Sequence, residues 1–252
     1  MKPLRFAAAA YSNSAPLVAC LSQVDPNVEV FHGVPSMHLE ELLSGRIDCA
    51  LIPVAHAIKH PELTILDQVG VAADGAVRSV LLKCHKPVDQ IITVARDAAS
   101  GTSNVLAELV LEHHFGVSVE MVDHSVGADA EVVIGDQALL SEPACAGDID
   151  LAEAWKMLTN LPFVFALWAI RPDFNEVKRI NTITQRAAKI GAACIPALAS
   201  EYAKNLGKNV GFWQEYLEKS IHYQLTNNDR KAIDQFKTMA VVHQLLAAQM
   251  EE

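Results

Sequence analysis

Short apolar runs alternate with segments of helical periodicity along the whole chain, and this pattern constrains the fold more than any other feature. Buried strands are predicted at residues 4–10, 47–52, 80–82, 91–95, 119–122 and 131–134, with a long apolar run at 161–170. Helices are predicted from about Pro16, between Ser36 and Gly45, after Gly101, between Pro196 and Gly207, and from about Asn228 onward. Such alternation is typical of an α/β protein.

The two halves of the chain show a rough twofold echo, because in each half a Ser or Thr begins a helix and a buried strand follows. At 252 residues the chain is long enough for two small lobes. We therefore predict a discontinuous first lobe, residues 1–86 and 161–252, and a second lobe, residues 87–160. The ligand is expected in a cleft between the lobes.

In open α/β sheets, ligands bind at the carboxyl ends of strands, where helix N-termini present free N–H groups and partial positive charge. Three such helix N-termini are candidates here. They are residues 11–14, residues 35–36, which include Ser36, and residues 101–103, which are Gly101, Thr102 and Ser103. An acidic chain can hold a carboxylate there without a basic patch. This matters because the formal net charge is -10, from 20 Lys+Arg against 30 Asp+Glu. That balance argues against nucleic acid as a partner.

The cysteines indicate a reducing compartment, since they are five in number, widely spaced and free of any C-x-x-C. The N-terminal apolar stretch covers only residues 6–10, which is shorter than the apolar h-region of a signal peptide, roughly 7 to 15 residues. No window approaches the roughly 18 unbroken apolar residues of a membrane span. We therefore expect a cytoplasmic, soluble protein without a membrane partner; the sequence is silent on oligomeric state.

Familiar catalytic and metal-binding motifs are missing. His56 and His60 have helical spacing, but the Glu of H-E-x-x-H is absent and Pro61 interrupts the segment. Cys84 and His85 are adjacent in a predicted strand, so their side chains point to opposite faces and cannot form a nucleophile pair. Ser-His-Asp and phosphate-loop signatures are also absent. No metal or cofactor is predicted.

Several polar residues follow or open predicted strands, and each has a structural reading beside a functional one. Asn13 lies just past the first strand and is equally consistent with an ordinary turn residue. Ser79 opens a buried strand and is equally consistent with a serine bonded to backbone. Thr102 and Ser103 are suitable helix N-caps, and Asp136 can equally cap the helix that follows it.

Taken together, six segments resemble one family closely. They are YSNSAPL (residues 11–17), VPS (34–36), DGAVRSVLL (74–82), GTS (101–103), IGD (134–136) and, most specifically, WK (155–156) with LPFVFALWAIR (161–171). Over nearly its whole length the chain resembles the chorismate dehydratases of menaquinone biosynthesis by the futalosine route. The resemblance implies a two-lobed fold like that of type II periplasmic binding proteins. It also implies a hydro-lyase that converts chorismate into 3-[(1-carboxyvinyl)oxy]benzoate without metal or organic cofactor.

The resemblance also implies roles for particular residues. Asn13 matches the family asparagine at the leaving hydroxyl, and Ser79 matches the serine that contacts the substrate. Thr102 and Ser103, with Gly101, are expected to bind a substrate carboxylate. Supporting contacts with the substrate are expected from Ser14, Ser36 and Arg78. No His, Glu or Asp falls in a motif that marks a base, so the substrate's own enolpyruvyl carboxylate is the leading proton acceptor.

The chain departs from the family pattern in two places. Pro53, Val54, Ala55 and His56 stand where members commonly have a Ser-x-x-Glu sequence, and Ala76 stands where they commonly have Pro. Two alternatives remain open at this point: a non-catalytic solute-binding protein of the same fold, and the sister enzyme 1,4-dihydroxy-6-naphthoate synthase. A regulatory α/β module has no sequence feature of its own here.

Overall fold

The computed structural model describes residues 2–33, 35–123 and 126–242, without the side chains of residues 35 and 36. The strands are β1 (Leu4–Ala8), β2 (Val28–His32), β3 (Cys49–Pro53), β4 (Thr64–Ala73), β5 (Val80–Cys84), β6 (Thr93–Ala95), β7 (Glu120–Val122), β8 (Ala130–Ile134), β9 (Asp148–Asp150), β10 (Phe163–Ile170) and β11 (His222–Gln224). The helices are α1 (Ala15–Val18), α2 (Leu21–Val24), α3 (Pro35–Leu43), α4 (Val54–Lys59), α5 (Gly101–His113), α6 (Gly135–Leu140), α7 (Leu151–Thr159), α8 (Val177–Ala193), α9 (Ile195–Leu206), α10 (Val210–Glu215) and α11 (Asn227–Val242). Short 3₁₀ turns cover Ser12–Ser14 and Val88–Gln90, and a π-helical turn covers Tyr216–Ser220.

The chain divides into two compact units. Unit 1 comprises Met1–Ala72 and Val164–Arg230, and unit 2 comprises Ala73–Phe163 and Lys231–Glu252. This division differs from the predicted lobe boundaries, because residues 73–86 and the later part of α11 lie in unit 2. The reason for the first difference is pairing: β5 forms antiparallel ladders with β8 and β9.

Unit 1 is built on a six-stranded sheet in the order β11-β4-β10-β3-β1-β2. β1 runs parallel to both β2 and β3, whereas β10 pairs antiparallel with β3. Phe6 of β1 and Trp168 of β10 are fully buried and meet edge to face, with ring centroids 5.6 Å apart. The apolar run at residues 161–170 therefore supplies a central strand of this sheet.

Unit 2 is built on a five-stranded sheet in the order β7-β6-β8-β5-β9. β6 is parallel to β7 and β8, and β5 is antiparallel to β8. Trp155 of α7 packs edge to face against Phe163 and Phe236, and its Nε1 donates to the Pro162 carbonyl at 2.9 Å. Two aromatic residues of the most distinctive sequence segments, Trp155 and Phe163, thus form part of this unit's core.

The α/β prediction is confirmed, and most predicted strands and helices are present within a few residues. The elements that were not predicted are the strands β2, β4, β9 and β11 and the helices α2, α4, α7, α8 and α10. Helical periodicity predicts an apolar face of α3 formed by Met37, Leu39, Leu42 and Leu43. This prediction is partly wrong, since Met37 and Leu43 are exposed while Leu42 and the polar His38 are buried. The same periodicity predicts that Leu246 faces inward on the last helix, but Leu246 lies outside the described residues. No helix in the described ranges is long and apolar enough to cross a membrane.

A buried carboxylate ties three strands of unit 1 together. Asp48, 4% exposed and immediately before β3, accepts hydrogen bonds from the backbone N–H and guanidinium of Arg5 on β1 and from Nε of Arg171, just after β10. Burial acts to raise the pKa of Asp48, but the hydrogen bonds from Arg5 and Arg171 outweigh it and hold the pKa below its ordinary value of 3.8.

We expect Asp48→Asn to destabilise the protein by about 2 kcal/mol at pH 7, because it leaves two partly buried guanidinium groups without their counter-charge. A carboxylate with a lowered folded-state pKa contributes stability above its unfolded pKa and loses that contribution as the pH falls through the folded value. The difference between wild type and variant should therefore shrink below about pH 4. Urea denaturation at pH 7 and pH 3 measures it.

Asp67→Asn is the matched control. Its carboxylate pairs with Arg230 at 2.7 Å, but that pair is exposed, with side-chain exposures of 55% and 37%. We expect a loss below about 1 kcal/mol there. Equal losses for the two variants, or a loss for Asp48→Asn that does not change with pH, would contradict the assignment.

Candidate functional site

The predicted site residues before position 73 belong to unit 1. Strand β1 ends at Ala8, and the chain passes through extended Tyr11 into the Ser12–Ser14 turn and then directly into α1. Because β1 and β3 are parallel, this turn and α4, which follows β3, lie at the same edge of the sheet. The expected placement of a polar turn at a strand's carboxyl end is confirmed.

Hydrogen bonds of Ser14 hold this turn. Its Oγ donates to the carbonyl oxygens of Ala9, at 2.8 Å, and Tyr11, at 2.9 Å, and its backbone N–H also donates to Tyr11. Ser14 is 4% exposed. The hydroxyl proton is therefore engaged within the turn, which makes Ser14 a structural residue in this arrangement.

Asn13 differs from its two neighbours. Ser12 and Ser14 are buried, whereas Asn13 between them is half-buried. Within the described part of the chain, the Asn13 amide has no hydrogen-bond partner. The N–H and C=O groups of its side chain are therefore available to a ligand, while the hydrogen bonds of Ser14 hold the adjacent backbone.

A close backbone approach sets the position of the helix after the turn. Gly191 of α8 lies against Pro16 of α1, and a Cβ at position 191 would lie 1.7 Å from the Pro16 carbonyl oxygen. Such a distance is far inside van der Waals contact, so a side chain there requires the backbone to move. Gly191 thus controls the approach of α8 to the segment that carries Asn13.

Two further predictions concern unit 1. Ser36 lies in the first turn of α3, but its side chain and Val34 are outside what the structure describes. His56 lies in α4, where burial lowers its pKa to about 4, and its Nδ1 is buried without a hydrogen-bond partner among the described residues. The imidazole is therefore neutral at physiological pH.

The described residues of unit 1 line at least two cavities. One, of about 400 Å³, lies beside the turn and is lined by Tyr11, Ser14, His32 and Glu201 among others, but not by Asn13. The other, of about 780 Å³, lies between α8 and β11 and includes none of the predicted site residues. The free amide of Asn13 therefore belongs to neither cavity.

In unit 2, the sheet topology brings three predicted segments to one edge. The carboxyl ends of the parallel strands β6 and β8 meet at that edge and lead into α5 and α6. β5 is antiparallel to β8, so its first residue begins at the same edge, next to Ser79. Ser79, Gly101, Thr102 and Ser103 are thus gathered on one side of this sheet.

Ser79 carries an unsatisfied hydroxyl. The residue is 1% exposed, and its Oγ has no hydrogen-bond partner in the described part of the chain. Its carbonyl accepts from the N–H of Gly135 at 2.7 Å, which ties the start of β5 to the end of β8. A buried hydroxyl without a partner costs free energy that a polar ligand atom would recover.

The loop before Ser79 is held by Asp150. Asp150 Oδ2 accepts from the N–H groups of Val77, at 2.9 Å, and Arg78, at 2.6 Å. Arg78 has a left-handed backbone, with φ 65°, and lies outside β5. Ser79 also precedes β5, so the alternation of side chains along a strand does not determine the relative directions of Arg78 and Ser79.

The N-terminus of α5 is capped by Ser100. Its Oγ accepts from the Ser103 N–H at 3.2 Å and donates to Ser103 Oγ at 2.8 Å. The prediction of Thr102 or Ser103 as the cap is wrong, because the helix already begins at Gly101. Thr102 and Ser103 lie in its buried first turn.

No group of three or more His, Cys, Asp or Glu residues in the described ranges could hold a metal ion. Cys84 lies in β5 and is buried, and burial raises the pKa of its thiol to about 11. His56 is in α4, but His60 follows that helix as its C-cap and bonds to Glu62.

Three residues that shape the site were not found from the sequence: Ser100, Asp150 and Gly191. Asp150 had a signal, since Asp150 followed by Glu153 before an apolar helix is the pattern of a capping box. Gly191 had none, because its partner Pro16 is remote in sequence.

Comparisons with known proteins cover nearly the whole chain. A family model described as menaquinone biosynthesis matches residues 4–241. A chorismate dehydratase from Thermus thermophilus is 30% identical, and the alignment covers 94% of each chain. A chorismate dehydratase from Campylobacter jejuni is 27% identical over 83% of this chain and 82% of its own.

Solved structures agree on the fold. Protein AF1704 from Archaeoglobus fulgidus superposes with a TM-score of 0.74 at 18% identity, covering 97% of this chain and 98% of its own. The aliphatic sulphonate binding protein SsuA from Escherichia coli gives 0.65 at 16% identity, covering 97% and 88%. The fold is therefore that of periplasmic binding proteins, as predicted.

We expect Gly191→Ala to lower stability by about 1 to 3 kcal/mol, although alanine favours helix, because the new Cβ collides with the Pro16 carbonyl. Thermal unfolding measures the loss, and a crystal structure of the variant should show the turn at residues 12–14 displaced.

The control is Ala193→Gly, which makes the opposite exchange at an exposed position two residues later in α8. It should cost at most about 1 kcal/mol and leave the turn in place. An alanine at position 191 that stabilises the protein would show that the close approach is absent in solution.

Proposed function

The chain belongs to the menaquinone biosynthesis family, and on that premise we propose that it is a chorismate dehydratase. In this proposal it removes water from chorismate and releases 3-[(1-carboxyvinyl)oxy]benzoate, as a carbon-oxygen hydro-lyase. The observation that carries the proposal is the near full-length match to two chorismate dehydratases. A cytoplasmic location, predicted from the sequence, is part of the proposal.

The reaction needs little covalent help from the protein. Loss of the C3 proton leaves a carbanion whose charge delocalises through the ring double bonds toward the ring carboxylate. Expulsion of the C4 hydroxyl then forms the third ring double bond, and aromaticity drives the step. The protein has to exclude water, fix the two carboxylates and stabilise the departing hydroxide.

In unit 1, we assign the departing hydroxyl to Asn13. Its amide has no internal partner, and the Ser14 hydrogen bonds hold the backbone on its C-terminal side. A preorganised N–H donor interacts more strongly with hydroxide than with a neutral hydroxyl, so the bond strengthens as the C4–O bond breaks. Ser14 then supports Asn13 and does not contact the substrate.

In unit 2, we assign a substrate carboxylate to the start of α5 and a substrate contact to Ser79. Gly101, Thr102 and Ser103 form the first turn of a 13-residue helix, whose dipole favours an anion at this end. The buried Ser79 hydroxyl lacks an internal partner. Supporting contacts from Arg78 and Ser36, expected from the sequence, are also part of the proposal.

The proton acceptor is the enolpyruvyl carboxylate of the substrate itself in this proposal. It is attached through oxygen to C3, so transfer within one molecule avoids the entropy cost of bringing a base to the proton. We assign none of the predicted site residues in the described part of the chain as the proton acceptor. The hydroxide leaves with that proton as water.

A non-catalytic solute-binding protein is the second candidate, because SsuA and other binding proteins share the fold. One experiment separates the two functions. Purified protein is mixed with chorismate, and the product is followed by mass, lighter by one water, and by the change from diene to benzoate absorbance. Saturable chorismate binding with no product would select the binding protein.

We expect Asn13→Ala to lower kcat by about 10² to 10³-fold and to change the Kd for chorismate much less, because its hydrogen bond acts mainly on the departing hydroxide. Asn205→Ala, at an exposed position of α9, is the matched control and should leave both constants unchanged. Equal losses in kcat and affinity for Asn13→Ala would reassign the residue to ground-state binding.

Ser79→Ala should move stability and activity in opposite directions. Removing a buried hydroxyl that has no partner relieves about 1 kcal/mol, so the melting temperature of the free protein should hold or rise. Activity on chorismate should fall at least about tenfold, because the substrate loses that contact. A Ser79→Ala protein that is less stable than wild type and fully active would contradict both the expected stability and the expected loss of activity.

A further inference from the structure

Asp150 joins two segments of unit 2 that are far apart in sequence. It is the last residue of β9 and the N-cap of α7, where Oδ1 accepts from the N–H groups of Ala152 and Glu153, each at 3.1 Å. Its other oxygen, Oδ2, accepts from Val77 and Arg78 in the loop before β5. One carboxylate thus satisfies four backbone N–H groups, two in each segment.

The loop segment needs such an anchor. Gly75 and Arg78 both have positive φ, at 115° and 65°. Glycine adopts this conformation freely, but an arginine does so at a cost that the surrounding structure has to offset. The 2.6 Å hydrogen bond from the Arg78 N–H to Asp150 is the contact that acts on that peptide directly.

Burial and hydrogen bonding act in opposite directions on the pKa of the Asp150 carboxyl. Burial raises the pKa of this carboxyl above its ordinary value of 3.8, and the hydrogen bonds from Arg78, Glu153, Val77 and Ala152 work in the opposite direction. A helix N-cap alone uses only one of the two oxygens. The second oxygen is therefore accounted for by the loop and not by α7.

The residue that follows Arg78 is Ser79, whose buried hydroxyl has no partner in the described chain. Its carbonyl is fixed by Gly135, so Ser79 is held from both sides: by Asp150 through Arg78, and by the end of β8. Because Ser79 follows Arg78, the direction of its Oγ depends on the conformation of the Val77 and Arg78 backbone that Asp150 binds.

We propose that Asp150 is a positioning residue for the reaction, which holds Val77 and Arg78 so that the Ser79 hydroxyl is presented to the substrate. This inference rests on the proposed function. Asp150 itself does not touch the substrate and transfers no proton.

Asp150→Ser separates the two roles of this carboxylate. Serine is as good an N-cap as aspartate, so α7 keeps its cap, but its short side chain does not reach the loop. Asp150→Ala loses both contacts. We expect the two variants to share a loss in kcat of about tenfold, no larger than that of Ser79→Ala, and the alanine variant alone to show a clearly lower melting temperature.

A control for simple loss of a cap is Asn209→Ala. Asn209 Oδ1 caps α10 by accepting from the Phe212 N–H at 2.8 Å, and it anchors no loop of unit 2. This variant should melt earlier and keep its kcat. A kcat loss equal to that of Asp150→Ser would show that general destabilisation explains the effect.

A double-variant cycle decides whether Asp150 acts through Ser79. In the Ser79→Ala background, adding Asp150→Ser should lower kcat by less than about threefold, because the hydroxyl that it positions is already gone. Losses that multiply across the two positions would overturn the proposal.

Amide hydrogen exchange tests the anchor without activity. In Asp150→Ser, the Val77 and Arg78 amides should exchange at least tenfold faster, whereas the Glu153 amide should keep its protection. Unchanged protection of Val77 and Arg78 would overturn the proposal even if chorismate is turned over. If wild type does not turn over chorismate, the proposed function fails, whatever the exchange data show.

Discussion

Parallel strands end at the same edge of a sheet, and the arrangement of functional groups in each unit follows from that constraint. In unit 1, β1 and β3 deliver the Ser12–Ser14 turn and α4 to one edge. In unit 2, β6 and β8 deliver the starts of α5 and α6, and the antiparallel β5 begins beside them at Ser79. Chain segments separated by many residues thereby become neighbours without any long connecting loop.

The groups collected at these edges are neutral donors and not cations. Asn13, Ser79, Thr102 and Ser103 carry no formal charge, and the whole chain has an excess of ten acidic groups. Fixed dipoles suit an anionic substrate in such a chain because their orientation is set during folding, so no reorganisation is needed when charge moves in the reaction. In the proposed function, donors of this kind would hold a dicarboxylate substrate in an acidic protein.

The sequence was most informative where local patterns and burial agree. β1, β5 and β8 are short apolar runs between turn signals, and Gly207 ends α9 as its position predicted. β4 was missed because its first half, with Asp67 and Gln68, is largely exposed and does not show a continuous apolar pattern. The predicted face of α3 was partly wrong because periodicity does not tell which apolar side chains a neighbouring element covers.

The candidate site residues also differ in how far the sequence could predict them. Asn13 and Ser79 could be predicted as candidate site residues because polar residues directly after or before a buried strand stand out. The cap at Ser100 was misplaced by two or three residues, which is the usual uncertainty of a helix boundary. The dual role of Asp150 combines a local cap, visible as a pattern, with a contact to a loop more than 70 residues away, which only the folded chain reveals.

The approach of Gly191 to Pro16 has an evolutionary consequence. The contact joins one main chain to another, so neither residue offers a side chain through which gradual substitution could adjust the spacing. Neighbouring positions that take no part in this contact are not bound by the same constraint. A homologue with any larger residue at position 191 must instead carry a coordinated shift of α8, and such a shift would mark a lineage in which the asparagine turn has been rebuilt.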